Sequence, residues 1–150
     1  DEKKKMESEL KELNETLEKK VEQRTKKLQE SSEIISKHVI YSKSDLDGNF
    51  TDVSEAFCKI TGYYRDELIG HNHNILRHPD MPKSTYEDMW KTIQDKNPWF
   101  GKVKNKKKDG GYYWVNTVVN PIVDYDGNIV EYIGISKPIS EAASAKLACI

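Results

Sequence analysis

Apolar residues in the first stretch of the chain fall at Met6, Leu10, Leu13 and Leu17, spaced by four, three and four, and then at Val21, Leu28 and Ile35, the last two steps being of seven. This is a heptad seam with one four-residue stutter after Leu17, and it predicts a long helix that buries a narrow stripe against a partner. Between the seam positions the stretch is polar. Of its first 36 residues 19 are charged and none is Gly, Pro or aromatic, so it has no face wide enough for a globular core. Glu7 with Lys11, Glu15 with Lys19 and Glu22 with Lys26 stand four apart in the favourable order, each pair worth only about 0.2 to 0.5 kcal/mol. At ~1.5 Å per residue the stretch extends roughly 54 Å. That length favours a parallel homodimeric coiled coil over a helix lying on a small domain. Polar residues on the seam (Lys20, Arg24, Ser31) weaken the coil and leave a single solvated helix as the alternative.

After residue 36 the pattern changes: the first aromatic is Tyr41 and the first glycine Gly48. HVIYSKSD and FTDVS read as two strands with Asp47-Gly48 as the turn between them. Ser54 can N-cap a short helix running to Gly62, with Ala56, Phe57 and Ile60 at helical spacing. Tyr64 to Ile69 offers a further helical turn, ended by Gly70. Pro82 opens a longer helix to about Lys96, on which Tyr86, Met89, Trp90 and Ile93 form a stripe that is core first and cofactor wall second. Three β-type runs follow, Trp99 to Lys107, Tyr112 to Val123 and Ile129 to Ser136, separated by Asp109-Gly110-Gly111 and Asp126-Gly127-Asn128. Turns this short imply antiparallel neighbours. The expected division is a helix over 1–36, an α+β domain over 37–140 with one sheet and helices on one face, and the start of a linker helix over 141–150.

Charge narrows the functional classes. A net charge of -1 lacks the basic footprint of a nucleic-acid binder, and Lys102, Lys104, Lys106, Lys107 and Lys108 read as a solvated strand edge. No apolar run approaches the roughly 20 residues that span a bilayer, so no membrane contact by this stretch is expected. Cys58 and Cys149 have neither metal nor disulfide-framework spacing, which suits a reducing cytoplasm. Nucleophile-elbow, metal-cluster and phosphate-loop motifs are absent, so catalysis is not expected.

The residues themselves resemble a known family. AFCKITGYYRDELIG (residues 56–70) is similar to the first-helix segment of bacterial PAS domains, and HNILRHPDMP, DMW, W-x-G-x-V-K-N and YYWV resemble the aerotaxis-receptor type. Upstream, LNETLEKKVEQRTKKLQE resembles the signalling helices of sensor kinases and chemoreceptors. The resemblance implies a five-stranded antiparallel sheet of order 2-1-5-4-3 whose concave face closes a cavity, and a sensor module feeding an output domain elsewhere in a signal-transduction protein. That protein could be membrane-anchored with this part in the cytoplasm. It also implies FAD as cofactor, read as a redox or oxygen sensor. Asn74, Arg77, His78 and Asp80 would stand on the segment facing it, with Trp90, Trp99, Asn105, Tyr113, Thr117 and Ser136 completing the site. Arg77 offers a planar donor fork that Asp80 could orient, or the two could form a structural ion pair. Another small molecule, or no ligand, is the alternative occupancy. Haem through His71 or His73 is less favoured.

Strand parity sharpens the site. If Lys102, Lys104 and Lys106 face water, Gly101, Val103 and Asn105 point inward, and Asn105 matches an inward Asn that holds flavin in the related LOV photoreceptors. On the next strand Tyr113, Val115, Thr117 and Val119 turn inward. Val115 stands where LOV domains carry a second flavin-contacting Asn, Ser136 where they carry a switching Gln, and no Asn-Cys-Arg motif occurs. A LOV-type light sensor is not expected. Outward, Trp114, Val118, Ile133 and Ile135 should form an apolar patch covered by the helix end near Ile34 and Ile35 or by a second subunit. The expected partners are a second copy, through the coiled coil and this sheet face, and the downstream output domain.

Overall fold

The structure, a computed structural model, describes residues 1–140; the linker helix expected over 141–150 lies outside the described residues. The chain divides into two units between Ile35 and Ser36. A single helix, α1, runs Glu2–His38, two residues past the expected boundary. Nothing on it is buried, and the seam residues Leu10, Leu13, Leu17 and Leu28 are all exposed.

The second unit is built on a sheet of β1 (Ile40–Ser44), β2 (Phe50–Val53), β3 (Trp99–Lys106), β4 (Tyr112–Val123) and β5 (Ile129–Ile139), in the order β2-β1-β5-β4-β3 with every pair antiparallel. This is the expected fold. The β1–β2 turn is closed by Asp45, whose Oδ1 accepts from the N–H groups of Asp47 (3.0 Å) and Asn49 (2.9 Å), while Gly48 takes φ +85°. Between β2 and β3 lie α2 (Glu55–Thr61), α3 (Arg65–Leu68), a 3-10 turn (His73–Leu76) and α4 (Lys83–Gln94). Ser54 caps α2 as expected, and its buried Oγ accepts from both Phe57 N–H (3.1 Å) and Tyr41 N–H (3.0 Å), so one hydroxyl serves a helix and a strand.

Two apolar clusters hold the layers together. Tyr86, Met89 and Ile93 of α4 pack on Trp99, Val103, Val115 and Tyr132 of the sheet. Phe50, Val53, Phe57, Leu68 and Leu76 form the other under α2 and α3. β5 runs three residues further than expected because only β4 flanks it there. Pro138 pairs with Val115, and β1 begins opposite Ser136, so the missing N–H of the proline faces no strand. On the outer face the register aligns Val118 with Ile135, Phe100 with Val118 and Asn120 with Ile133. Phe100 and Ile135 are exposed there and Trp114 is half-buried.

Candidate functional site

Between the concave face of the sheet and the wall made by the 3-10 turn and α4 lies a cavity of about 120 Å³, room for about ten waters at ~10–15 Å³ each. Its wall is apolar on the helix side (Leu76, Met89, Ile93) and carries hydroxyls on the sheet side (Ser42, Ser44, Thr117, Ser136). Alternation along β1 turns Ser42 and Ser44 inward while Lys43 points out. Across β4 and β5, Thr117 and Ser136 sit in register with their oxygens 2.9 Å apart, either one able to donate.

Two close approaches shape the ends of the cavity. Trp99 folds its indole back along its own strand, so that a Cβ at Gly101 would come within 2.2 Å of the ring. Its N–H donates to Asp88 Oδ2 on α4 at 2.9 Å. The W-x-G spacing is thereby explained: only a residue without a side chain leaves room for the ring. At Gly48 a Cβ would meet His73 Cδ2 at 2.7 Å and Trp90 Cζ2 at 3.0 Å. His73 and Trp90 face each other with ring centres 5.6 Å apart, and Trp90 meets Tyr132 edge-on. Burial, and then the charge of Arg77, push His73 down to about 4, so its imidazole is neutral at pH 7.

Arg77 and Asn105 are brought together by a backbone bridge between the end of the 3-10 turn and β3, and both side chains line the cavity. The Arg77 guanidinium lies over the Tyr86 ring, 3.8 Å from its centre. Asn105 Nδ2 donates to Tyr113 Oη at 3.4 Å. Burial pushes the Tyr113 phenol up to about 12, against the opposing Asn105 hydrogen bond. Burial likewise raises Tyr86, with the Arg77 charge acting the other way.

Of the residues the sequence nominated, Arg77, Trp90, Trp99, Asn105, Thr117 and Ser136 line the cavity. Tyr113 stands behind Asn105. Asn74 is exposed on the 3-10 turn, where its carbonyl accepts from Arg77 N–H. His78 lies against Tyr112, its Nδ1 accepting from Asp80 N–H at 3.0 Å. Asp80 does not orient Arg77. It faces solvent and binds Lys104 Nζ at 2.8 Å, and that Lys104 contact is the leading cause that holds its carboxyl below the usual range. The expectation that Lys104 faces water fails for the same reason: its side chain is only 15% exposed, held between Asp80 and the Tyr112 ring. Lys102 and Lys106 are exposed as expected. Sequence reading missed Ser42 and Ser44 as cavity residues, placed Tyr86 only on the α4 stripe as core first and cofactor wall second, and weighed His73 only for haem. The alternation of β1 was the available signal for the serines.

Two buried polar atoms at the cavity have no hydrogen-bond partner, Arg77 Nε and Tyr86 Oη. Leaving such a group unsatisfied costs about 1–3 kcal/mol, so the wall suits a ligand with a polar edge. An N–H donor at Arg77, an amide at Asn105 and hydroxyls on the sheet offer both donors and acceptors, which fits the alternating N–H and C=O edge of a flavin ring. Among the described residues no group of three or more His, Cys, Asp or Glu could hold a metal ion.

Comparison with known proteins agrees with this architecture. A family model described as the PAS fold matches residues 50–136. The chain is similar to the aerotaxis receptor of Escherichia coli strain K12, at 38% identity over 107 residues, covering 71% of this chain and 21% of the receptor. It is also similar to the nitrogen fixation regulatory protein of Klebsiella pneumoniae, at 32% identity over 102 residues, 68% of this chain and 21% of that protein. The chain thus spans about a fifth of the length of these relatives. Among solved structures, the dark state of the blue-light photoreceptor Aureochrome1 LOV superposes with a TM-score of 0.67 at 25% identity, over 73% of this chain and 81% of that one. A light-oxygen-voltage domain studied with a flavin analogue superposes at 0.69 and 24% identity, over 74% of this chain and 84% of that one, a likeness of fold.

Proposed function

The chain belongs to the PAS family, and on that premise we propose that it is the sensor module of a bacterial signalling protein, holding FAD in the cavity under α4 and reporting the flavin's redox state through a dimeric coiled coil. The carrying observation is the pair Arg77 and Asn105, joined through their backbones and both presented to the cavity, with Arg77 Nε buried and unpartnered. Similarity to an aerotaxis receptor and to flavin-related LOV structures supports the reading.

Bound there, a flavin would supply reversible electron transfer; the protein's part is to bind, orient and shield. Arg77 would donate to a ring carbonyl, its plane kept in place by the Tyr86 ring. Asn105 has Tyr113 behind it, which restrains its amide. Trp99 and Trp90 line the cavity and would shield a bound ring from water. The Thr117–Ser136 hydroxyl pair can reverse its hydrogen bond to suit a donor or an acceptor. Ser136 is opposite Ile40, two residues after the last residue of α1, so a change at the cavity floor adjoins the start of β1.

The test is an absorption spectrum of the purified chain, before and after incubation with FAD. Flavin bands that bleach on reduction, with flavin released on denaturation, are expected. Arg77→Ala and Asn105→Ala should each lower flavin content severalfold while moving the thermal midpoint little. A colourless protein that takes up no flavin overturns the reading, and full flavin content in both variants overturns the site.

A further inference from the structure

The segments DMW (residues 88–90) and W-x-G (residues 99–101) lie on different elements, and the fold joins them into one device. Between α4 and β3 the chain reverses over Asp95 to Pro98, with Lys96 at φ +65°, the one residue other than glycine in the left-handed region among the described residues. The reversal lays Trp99 beside α4, where its indole N–H donates to Asp88 Oδ2 at 2.9 Å. The benzene end of the ring lies on Gly101, at which a Cβ would come within 2.2 Å of Cη2 and 2.4 Å of Cζ2.

Asp88 is not part of the core. It is exposed and does not line the cavity, and the residues of α4 that are buried are Tyr86, Met89 and Ile93. Trp99, by contrast, is buried and lines the cavity. Its ring therefore has the backbone of Gly101 on one side and open space of about 120 Å³ beside it. Packing on Gly101 limits how far the ring can move towards the sheet. Open space does not oppose rotation about the side-chain torsions into the cavity. The tether at the N–H end does, and a hydrogen bond to a carboxylate is stronger than one between neutral groups.

We propose that Asp88 is a positioning residue for the ligand: by holding the Trp99 indole on Gly101 it keeps that wall of the cavity in place for a flat ring. The proposal rests on the flavin reading above and adds a residue outside the cavity on which flavin affinity depends. Asp88 acts from one layer away, through Trp99.

The test titrates the full chain, freed of flavin, with FAD, in unaltered, Asp88→Ala and Asp88→Asn forms and again with Trp99→Phe added to each. Asp88→Ala should weaken FAD binding about fivefold to tenfold, the scale of one hydrogen bond. Asp88→Asn, whose side-chain carbonyl still accepts, should stay within about twofold of the unaltered chain. With Trp99→Phe, which has no N–H to hold, Asp88→Ala should change FAD binding by less than about twofold. The Trp99 indole N–H resonance of the flavin-free chain, assigned by its loss in Trp99→Phe, gives a readout apart from the ligand: Asp88→Ala should speed its exchange with water, and Asp88→Asn should not. Unchanged FAD affinity in Asp88→Ala, with only the thermal midpoint lowered, makes the bond a purely structural one and overturns the proposal while the flavin reading stands. An equal loss with and without Trp99→Phe overturns it too. An unaltered chain that binds no flavin overturns both.

Discussion

His73 shows how one residue can tie the site to solution conditions. Burial beside Arg77 holds its imidazole near 4, below its ordinary 6.5. The unfolded chain would take up a proton that the folded one refuses. Stability is therefore complete above about pH 6.5 and is lost as the pH falls towards 4, by roughly 3 kcal/mol in all, of which about 2 kcal/mol is gone at pH 5. Urea midpoints at pH 7.5 and pH 5 should differ by that amount in the unaltered protein, and the difference should shrink in His73→Gln. An equal loss in both proteins would show that other groups govern the acid limb.

Among the elements, the junction of β1 with α2 rests on Ser54. Its Oγ satisfies the N–H of Tyr41 and the N–H of Phe57, and the residue is fully buried. Ser54→Ala would strip a helix cap and leave a strand donor unpaired at once. The expected cost is about 2–3 kcal/mol, more than the ~1 kcal/mol typical of a cap alone. Chemical denaturation followed by tryptophan fluorescence would measure it. A loss below about 1 kcal/mol would mean that another acceptor, or water, replaces the hydroxyl. Elsewhere the elements depend on close approach: α4 is tied to β3 by Asp88 holding the Trp99 indole flat on Gly101.

At the scale of the whole molecule, α1 exposes every seam residue along 37 residues. An isolated helix of such polarity has little of its own to stabilise it, so a second copy along the seam is the expected source. Replacing Leu13 and Leu17 by Glu should shift sedimentation from dimer to monomer and lower the helical signal of the full chain. A dimer of unchanged stability would move the interface to the outer sheet face, where Phe100 and Ile135 are exposed. No helix among the described residues is long and apolar enough to cross a membrane.

Periodicity and turn chemistry in the sequence determined the order of elements, the inward face of β3 and β4 and the Ser54 cap, because each depends on neighbours within a few residues or on a strict period of two, while the family came from the resemblance of its motifs. Six of the ten nominated site residues line the cavity, Asn105 and Thr117 legible through strand parity and Arg77 through the family resemblance of its segment. The tertiary structure alone decided the rest. Lys104 leaves water because a loop 24 residues earlier brings Asp80 to it, and that same pairing takes Asp80 away from Arg77. His73 becomes neutral because Gly48, in a distant turn, lets the ring pack in. Local pattern specifies which face a side chain takes, whereas partner and burial are set by segments far apart in sequence, which no local period encodes.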